Sequence, residues 1–292
     1  MKKAFLKYIA ALLLFGSNGI VASRIALNSY EIVLLRTLLG SVLLIVLYFA
    51  GKGKLSFYKK GKQFLFLCLS GMAMGTSWIF LYEAYAQIGV SISSLLYYCG
   101  PVLVMALSPL LFRECLTAAK IVGFSFVLCG VFLVNGAAFG EEGSAGFGFV
   151  CGILSALMYA LMVICNKKAA DITGLENSML QLFISFLTVA GFVGFKQGFA
   201  LQIAPASIVP ILVLGLLNTG IGCYLYFSSI GSLPIQSLAI FGYLEPLSAV
   251  FFSLAILGEA MSPVQILGAV FILGGAIFSE CYQRGKAREH RI

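Results

Sequence analysis

Ten apolar runs, separated by short polar segments, set the pattern of this chain. They cover residues 5–23, 31–50, 64–87, 92–112, 118–137, 146–166, 177–197, 207–230, 235–257 and 263–281. Each run is longer than the strands of soluble proteins and has no polar face, so the pattern predicts helices. A helix of ~20 apolar residues spans the hydrocarbon core of a bilayer. We therefore predict an all-α membrane protein with ten transmembrane helices.

The composition and charge agree with a chain that crosses a membrane many times. Of its 292 residues, 61% are apolar and 10% are charged, which excludes a disordered chain, a soluble α/β enzyme and a coiled coil. The net charge of +8 does not indicate a nucleic-acid partner, because the basic residues lie in short gaps between the runs. With a cytoplasmic N-terminus, all of them except Arg24, Arg36 and Lys196 lie in cytoplasmic segments. This asymmetry predicts a multi-pass protein of the cytoplasmic membrane with both termini in the cytoplasm.

Two other features concern a signal peptide and a metal site. Residues 1–15 resemble a secretory signal, but the apolar run continues to residue 23, so we expect a retained first helix. The eight cysteines form no CxxC pair and fall mostly within the runs, which indicates small core residues. The single histidine, His290, lies in the charged tail. We expect no metal site and no cofactor.

The two halves of the chain repeat each other at a shift of 145 residues. The shift aligns Tyr98 with Tyr243, Pro101 with Pro246, Glu114 with Glu259, Gly123 with Gly268, Gly130 with Gly275, Glu31 with Glu176, and Arg36 with Gln181. Each half holds five runs, and because five is odd the second half enters the membrane from the opposite side. We predict two inverted five-helix repeats at residues 1–140 and 146–282, followed by a basic cytoplasmic tail at residues 283–292.

Short motifs in both halves point to a known family. They are Phe15-Gly16-Ser17-Asn18, Arg36, Cys99-Gly100-Pro101-Val102, Arg113-Glu114 with Gly123, Leu244-Glu245-Pro246-Leu247, and Leu257-Gly258-Glu259-Ala260-Met261-Ser262-Pro263 with Gly268 and Gly274-Gly275. With these motifs the chain resembles the drug/metabolite transporter superfamily, of the EamA type, over nearly its whole length. The resemblance implies ten helices in two inverted halves, a central cavity, and export or uptake of small metabolites.

Three charged residues lie inside the runs, where a charge costs about 3 kcal/mol to insert. Arg36 and Glu83 each lie ~8 Å inside the predicted outer ends of their helices, so they could pair if the helices face each other. Either they form a structural ion pair, or Arg36 extends to the outer membrane interface. The functional alternative is a cavity site in which Glu83, tuned by Arg36, binds a cationic group or a proton. Glu245 precedes Pro246, which removes a backbone hydrogen bond and frees a carbonyl group. Glu245 is therefore a second candidate for substrate or proton contact.

Further polar and aromatic residues are candidates for the cavity wall. Trp78, Tyr82 and Tyr85 are either membrane-interface anchors or cavity residues. The remaining candidates, each either an interhelical hydrogen-bonding residue or a ligand contact, are Asn18, Tyr98, Tyr159, Asn166, Tyr224 and Tyr243. Glu259 is interpreted as structural, with Ser262 as the N-cap and Pro263 as the first residue of the last helix.

These residues favour a secondary transporter of a small metabolite, such as an amino acid or an amine, that works by alternating access. Proton exchange at Glu83 or Glu245 is a coupling hypothesis, and a cavity with carboxylates and aromatics slightly favours a cationic substrate. The alternative is a channel-like or scaffold protein without coupled transport. An enzyme is not expected, because the chain has no HExxH, GxSxG or Walker lysine motif and its single aspartate, Asp171, lies between runs. The expected partners are the substrate, the lipid bilayer and protons.

Overall fold

Helices form almost all of the chain that the computed structural model describes, which is residues 2–100, 103–104, 107, 118–136, 144–230, 242 and 244–289. The first half contains α1 (Lys2–Gly16), α2 (Asn18–Ala22), α3 (Ser29–Ala50), a 3₁₀ turn (Phe57–Lys59), α4 (Gly61–Ile88), α5 (Val90–Tyr97) and α6 (Ala118–Gly136). The second half contains α7 (Ser144–Lys168), α8 (Gly174–Lys196), α9 (Pro205–Leu212), a π-helical segment (Val213–Ile221), α10 (Gly222–Ile230), α11 (Leu244–Phe252), a second π-helical segment (Ser253–Leu257) and α12 (Pro263–Glu289). The prediction of an all-α membrane protein is confirmed. Within the described residues, 5 helices are long and apolar enough to cross a membrane.

The repeat detected in the sequence is also a repeat of packing. The shift of 145 residues carries the start of α3 onto the start of α8, and the start of α6 onto that of α12. Contacts between helices follow the same rule. The packing of α4 against α7 corresponds to that of α1 against α10. The repeat exchanges α3 with α8, and α6 with α12, and the members of each pair pack against each other. The two halves are therefore related by a pseudo-twofold relation that runs through both pairs.

The first predicted helix is divided into α1 and α2 at Ser17. A glycine–serine pair is a common site for a helix kink, and here a side chain from the other half stabilises the break. Asn218 Nδ2 donates to the Leu14 carbonyl at 2.9 Å, to Ser17 Oγ at 3.0 Å and to Asn18 Oδ1 at 3.1 Å. The break therefore places Asn18 beside the second repeat.

The eighth predicted helix contains a π-helical segment that the apolar pattern did not reveal. The segment Val213–Ile221 follows Pro210, which lies inside α9. Thr219 Oγ1 donates to the Leu214 carbonyl, five residues earlier, at 2.7 Å. Segments of this kind are frequent at functional sites, and Thr219 contacts the candidate site described below.

A glutamate from the second half caps α5 in the first half. Glu259 Oε1 accepts a hydrogen bond from the Val90 amide at 2.8 Å, and its Oε2 accepts one from the Ser91 amide at 3.0 Å. The preceding residue, Gly89, has φ +78° and no side chain with which to cap the helix. The predicted N-cap at Ser262 is confirmed, since Ser262 Oγ accepts from the Gln265 amide at 3.2 Å.

The last helix is longer than the apolar run that predicted it. We expected the transmembrane run to end at residue 281 and a basic tail to follow, whereas α12 continues to Glu289. A helix satisfies its own backbone groups, so it can continue into water beyond the end of an apolar run.

Candidate functional site

A cavity of about 570 Å³ lies between the two halves of the protein. Its aromatic lining residues are Phe15, Trp78, Tyr85, Tyr97, Tyr98, Tyr159 and Tyr226. Its polar and charged lining residues are Asn18, Arg36, Ser94, Asn166, Lys167, Gln181 and Glu245. Small-molecule sites are typically ~300–1,000 Å³, mostly apolar, with a few convergent polar groups. The size and lining of this cavity therefore suit a small organic molecule.

Residues related by the repeat line the cavity in pairs. Four pairs of positions separated by 145 residues both contribute to the wall: Asn18 with Val163, Arg36 with Gln181, Trp78 with Cys223, and Leu81 with Tyr226. The pseudo-twofold relation between the halves therefore also relates parts of the cavity wall. The residue types within each pair differ, so the cavity itself is chemically asymmetric.

Arg36 provides a buried cation in the cavity wall. Its side chain is 3% exposed, and its guanidinium group lies 4.3 Å from the ring centroid of Trp78 and 5.0 Å from that of Tyr82. Arg36 Nε donates to Thr219 Oγ1 at 3.0 Å, and Nη1 donates to the Tyr82 hydroxyl group. Stacking on a desolvated aromatic ring offsets ~2 kcal/mol of the cost of burying this charge. All of these contacts are with uncharged groups.

Glu245 provides a carboxylate in the same cavity. It lies in the first turn of α11, immediately before the buried Pro246. Helix α1 approaches its backbone closely, because a Cβ atom added at Gly16 would lie 2.9 Å from the Glu245 carbonyl oxygen. The backbone of Glu245 is thus held against α1 while its side chain lines the cavity.

A cluster of neutral amide side chains lies at the part of the cavity wall that the repeat relates to Arg36. Asn166 Nδ2 donates to Gln181 Oε1 and to Asn177 Oδ1, the latter at 3.0 Å. Gln181 Nε2 contacts Met74 Sδ at 3.5 Å. These bonds link α7, α8 and α4, so the amides support the wall as well as line it.

Most of the residues singled out from the sequence are brought together by the fold. The cavity-lining ones are Asn18, Arg36, Trp78, Tyr85, Tyr98, Tyr159, Asn166 and Glu245. Tyr224 does not line the cavity, and Lys7 Nζ lies 5.5 Å from its ring centroid. Tyr243 lies outside the described residues.

The expected pair of Arg36 and Glu83 does not form. Glu83 accepts hydrogen bonds from the Ser29 hydroxyl group and, at 3.1 Å, from Gln87 Nε2, and it does not line the cavity. One residue along a helix turns the side chain by ~100°. Tyr82 therefore faces Arg36, whereas Glu83 faces the start of α3.

Several cavity residues were not identified from the sequence. Lys167 could have been considered, because it lies eight residues after Tyr159, ~80° around the helix, and so borders the face that Tyr159 and Asn166 define. Tyr97 and Tyr226 gave no such signal, because a tyrosine in an apolar run is equally compatible with a helix contact.

Comparisons with known proteins agree with this architecture. The model of the EamA-like transporter family matches the chain twice, at residues 2–136 and 146–280. The uncharacterized transporter YxxF of Bacillus subtilis (strain 168) is 25% identical over 291 residues, covering 97% of this chain and 91% of that protein. The uncharacterized transporter YetK of the same organism is 27% identical over 289 residues, covering 93% of this chain and 85% of that protein. A solved crystal structure is similar with a TM-score of 0.68 at 18% identity, covering 94% of this chain and 97% of that one, a similarity that concerns the fold alone.

Proposed function

Because the chain belongs to the EamA-like transporter family, and is thus a membrane transporter, we propose that it carries a small metabolite across the cytoplasmic membrane by alternating access. An amino acid, an amine or a similar compound is the proposed cargo. The observation that carries the proposal is the cavity of about 570 Å³ between the two repeats, lined by aromatic residues, Arg36 and Glu245. We also propose that both termini are cytoplasmic, as the basic residues indicate.

The pseudo-twofold packing supports alternating access. In a protein made of two inverted repeats, each contact at one end of the bundle has a possible counterpart at the other end. Exchanging the two sets of contacts opens the cavity to the opposite side without new folding. The cap that Glu259 provides to α5 joins the two halves at the predicted outer end and is one such contact.

Glu245 is the proposed site of proton coupling. Among the described residues it is the carboxylate that lines the cavity. Burial away from water disfavours the charged form of a carboxylate, so exchange of a proton at Glu245 can be linked to exchange of substrate. Glu83, the other carboxylate considered from the sequence, accepts two hydrogen bonds outside the cavity and is not assigned this role.

Transport by purified protein in liposomes tests the proposal. A panel of labelled amino acids, amines and sugars is offered with and without an imposed pH gradient. We expect saturable uptake of at least one compound, enhanced by the gradient. Uptake that never saturates would instead indicate a channel, and the absence of uptake for every compound would contradict the proposed function.

The coupling residue is tested with a matched pair of variants. We expect Glu245→Gln to abolish the response of uptake to the pH gradient and Glu83→Gln to retain it. If Glu245→Gln keeps the full response, coupling at this carboxylate is wrong, whereas the transport proposal stands.

A further inference from the structure

The guanidinium group of Arg36 is buried in the cavity wall without an anionic partner among the described residues. Two of its nitrogen atoms, Nε and Nη1, donate to the hydroxyl groups of Thr219 and Tyr82. The third, Nη2, has no hydrogen-bond partner in the described part of the chain. Together with the ring of Trp78, these contacts fix the plane of the guanidinium group. A rigid, planar donor of this kind is suited to bind a carboxylate through two parallel hydrogen bonds.

The fold itself does not require a cation at this position. The repeat places Gln181 where the first half has Arg36, and both side chains line the cavity. Gln181 is uncharged and is held by hydrogen bonds within the amide cluster. Because the same structural position accepts a neutral amide, packing does not explain the charge of Arg36.

Other described carboxylates are engaged elsewhere. Glu83 binds residues at the start of α3 and on α4, Glu176 binds Ser56, and Glu259 caps α5. Glu245 is left as the carboxylate in the same cavity, where its charge interacts with that of Arg36 without a direct ion pair among the described contacts. The cavity therefore offers a single bound molecule the guanidinium group of Arg36, held in a fixed plane, and the carboxylate of Glu245, with Lys167 as a further cation in the wall.

We infer that Arg36 binds the carboxylate of the transported molecule, and that this molecule is a zwitterionic amino acid whose ammonium group faces Glu245. The inference rests on the proposed function and narrows its substrate class, because an amine lacks the group that Arg36 binds. The aromatic walls accommodate the apolar part of the amino acid. Thr219 and Tyr82 act as positioning residues that orient the guanidinium group toward the cavity.

Binding to the purified full-length protein in detergent tests the inference. The proteinogenic amino acids are screened first, and each one that binds is compared with its amide and with its decarboxylated amine. In the wild-type protein we expect the amino acid to bind at least about tenfold more tightly than either analogue, as the loss of one charge-assisted contact implies. In Arg36→Gln, we expect this preference to fall to within about twofold.

Two further variants separate recognition from folding. Arg36→Gln introduces the side chain that the repeat already accommodates, so we expect it to elute as a monodisperse protein. Thr219→Val removes the acceptor of Nε, together with the hydrogen bond that Thr219 donates to the Leu214 carbonyl in its own segment. We expect it to weaken amino-acid binding more than binding of the amide. Glu83→Gln serves as the control outside the cavity and should behave as the wild type.

The outcomes distinguish this inference from the proposed function. If the amide or the amine binds as tightly as the amino acid, or if Arg36→Gln keeps the preference for the carboxylate, the inference is overturned while transport of another compound can still be observed. If no amino acid binds, the inference is overturned as well. The proposed function fails only if no compound of the wider panel is transported.

Discussion

The cap that Glu259 provides to α5 joins the two repeats, and its removal has a predictable cost. Both carboxylate oxygens are used, one by the Val90 amide at 2.8 Å and one by the Ser91 amide at 3.0 Å. Loss of an N-cap costs ~1 kcal/mol, and an additional charge-assisted hydrogen bond at a half-buried site adds a similar amount. We expect Glu259→Ala to lower the free energy of unfolding by about 2 kcal/mol, and Glu259→Gln, which retains one acceptor, by about half as much.

The same carboxylate predicts a dependence of stability on pH. Burial alone would raise the pKa of Glu259, but the hydrogen bonds it accepts, including those from the Ser91 and Val90 amides, outweigh burial and lower the pKa below its ordinary value of 4.5. A carboxyl group whose pKa is lowered by folding stabilises the protein fully above the ordinary value. This contribution is lost as the pH falls through the lowered value. The difference between the wild type and Glu259→Gln should therefore be complete at neutral pH and should disappear in acid.

Thermal unfolding in detergent, followed at neutral pH and in steps below pH 4.5, measures both effects. A loss of 2 kcal/mol corresponds to a fall in Tm of about 4 °C for a chain of this size. Glu31→Gln is the matched control, because Glu31 caps only the start of its own helix, α3, and is not a contact between repeats. The reasoning is refuted if Glu259→Ala melts with the wild type at neutral pH, or if the gap between them is the same in acid.

Three contacts in the interior give further predictions. Gly16→Ala places a Cβ atom 1.9 Å from the Ser248 hydroxyl oxygen, so we expect a lower Tm. Gly191→Ala is the control, because a Cβ atom there has nothing within 4 Å, and it should change the Tm little. Equal Tm values for the two variants would contradict this. Asn218→Leu removes the donor that binds the break between α1 and α2. We expect a denaturant titration to show a free energy of unfolding about 1–2 kcal/mol lower than that of the wild type. An unchanged midpoint would contradict this. The carboxylate of Glu176 binds the loop before α4, so Glu176→Ala should release that loop. We expect trypsin to cleave the loop faster in this variant than in the wild type. An unchanged rate of cleavage would contradict this.

The sequence predicted the helices well because the bilayer imposes a length and a composition on each of them. The third apolar run was expected at residues 64–87, and the helix spans Gly61–Ile88. The predicted bounds are wrong only at the helix ends, because helices there include polar residues that a hydropathy criterion leaves out of the apolar run. Glu176 is an example, because it belongs to the first turn of α8 although the run was expected to begin at residue 177.

The cavity was predicted less completely, because depth along a helix can be read from a sequence while rotation about its axis cannot. Arg36 and Glu83 were placed at equal depth and were expected to be able to pair, but the neighbouring residue Tyr82 faces Arg36 instead. Charged and amide residues in apolar runs were nevertheless good indicators of the cavity wall. Asn166 and Glu245 were found in this way, since such groups avoid lipid.

The differences between the two repeats concern how the cavity would select one orientation of the proposed amino-acid substrate. Glycines at which helices approach closely are the same at repeat-related positions, such as Gly130 and Gly275, whereas cavity positions such as Arg36 and Gln181 differ. A cavity with identical walls would hold an amino acid equally well in two opposite orientations. Arg36, whose repeat-related position holds the neutral Gln181, removes this degeneracy, because the carboxylate of the proposed substrate then gains its strongest contact in one orientation only. Under the proposed alternating access, the symmetric contacts between the repeats exchange during transport, while the lining departs from symmetry to recognise the proposed substrate.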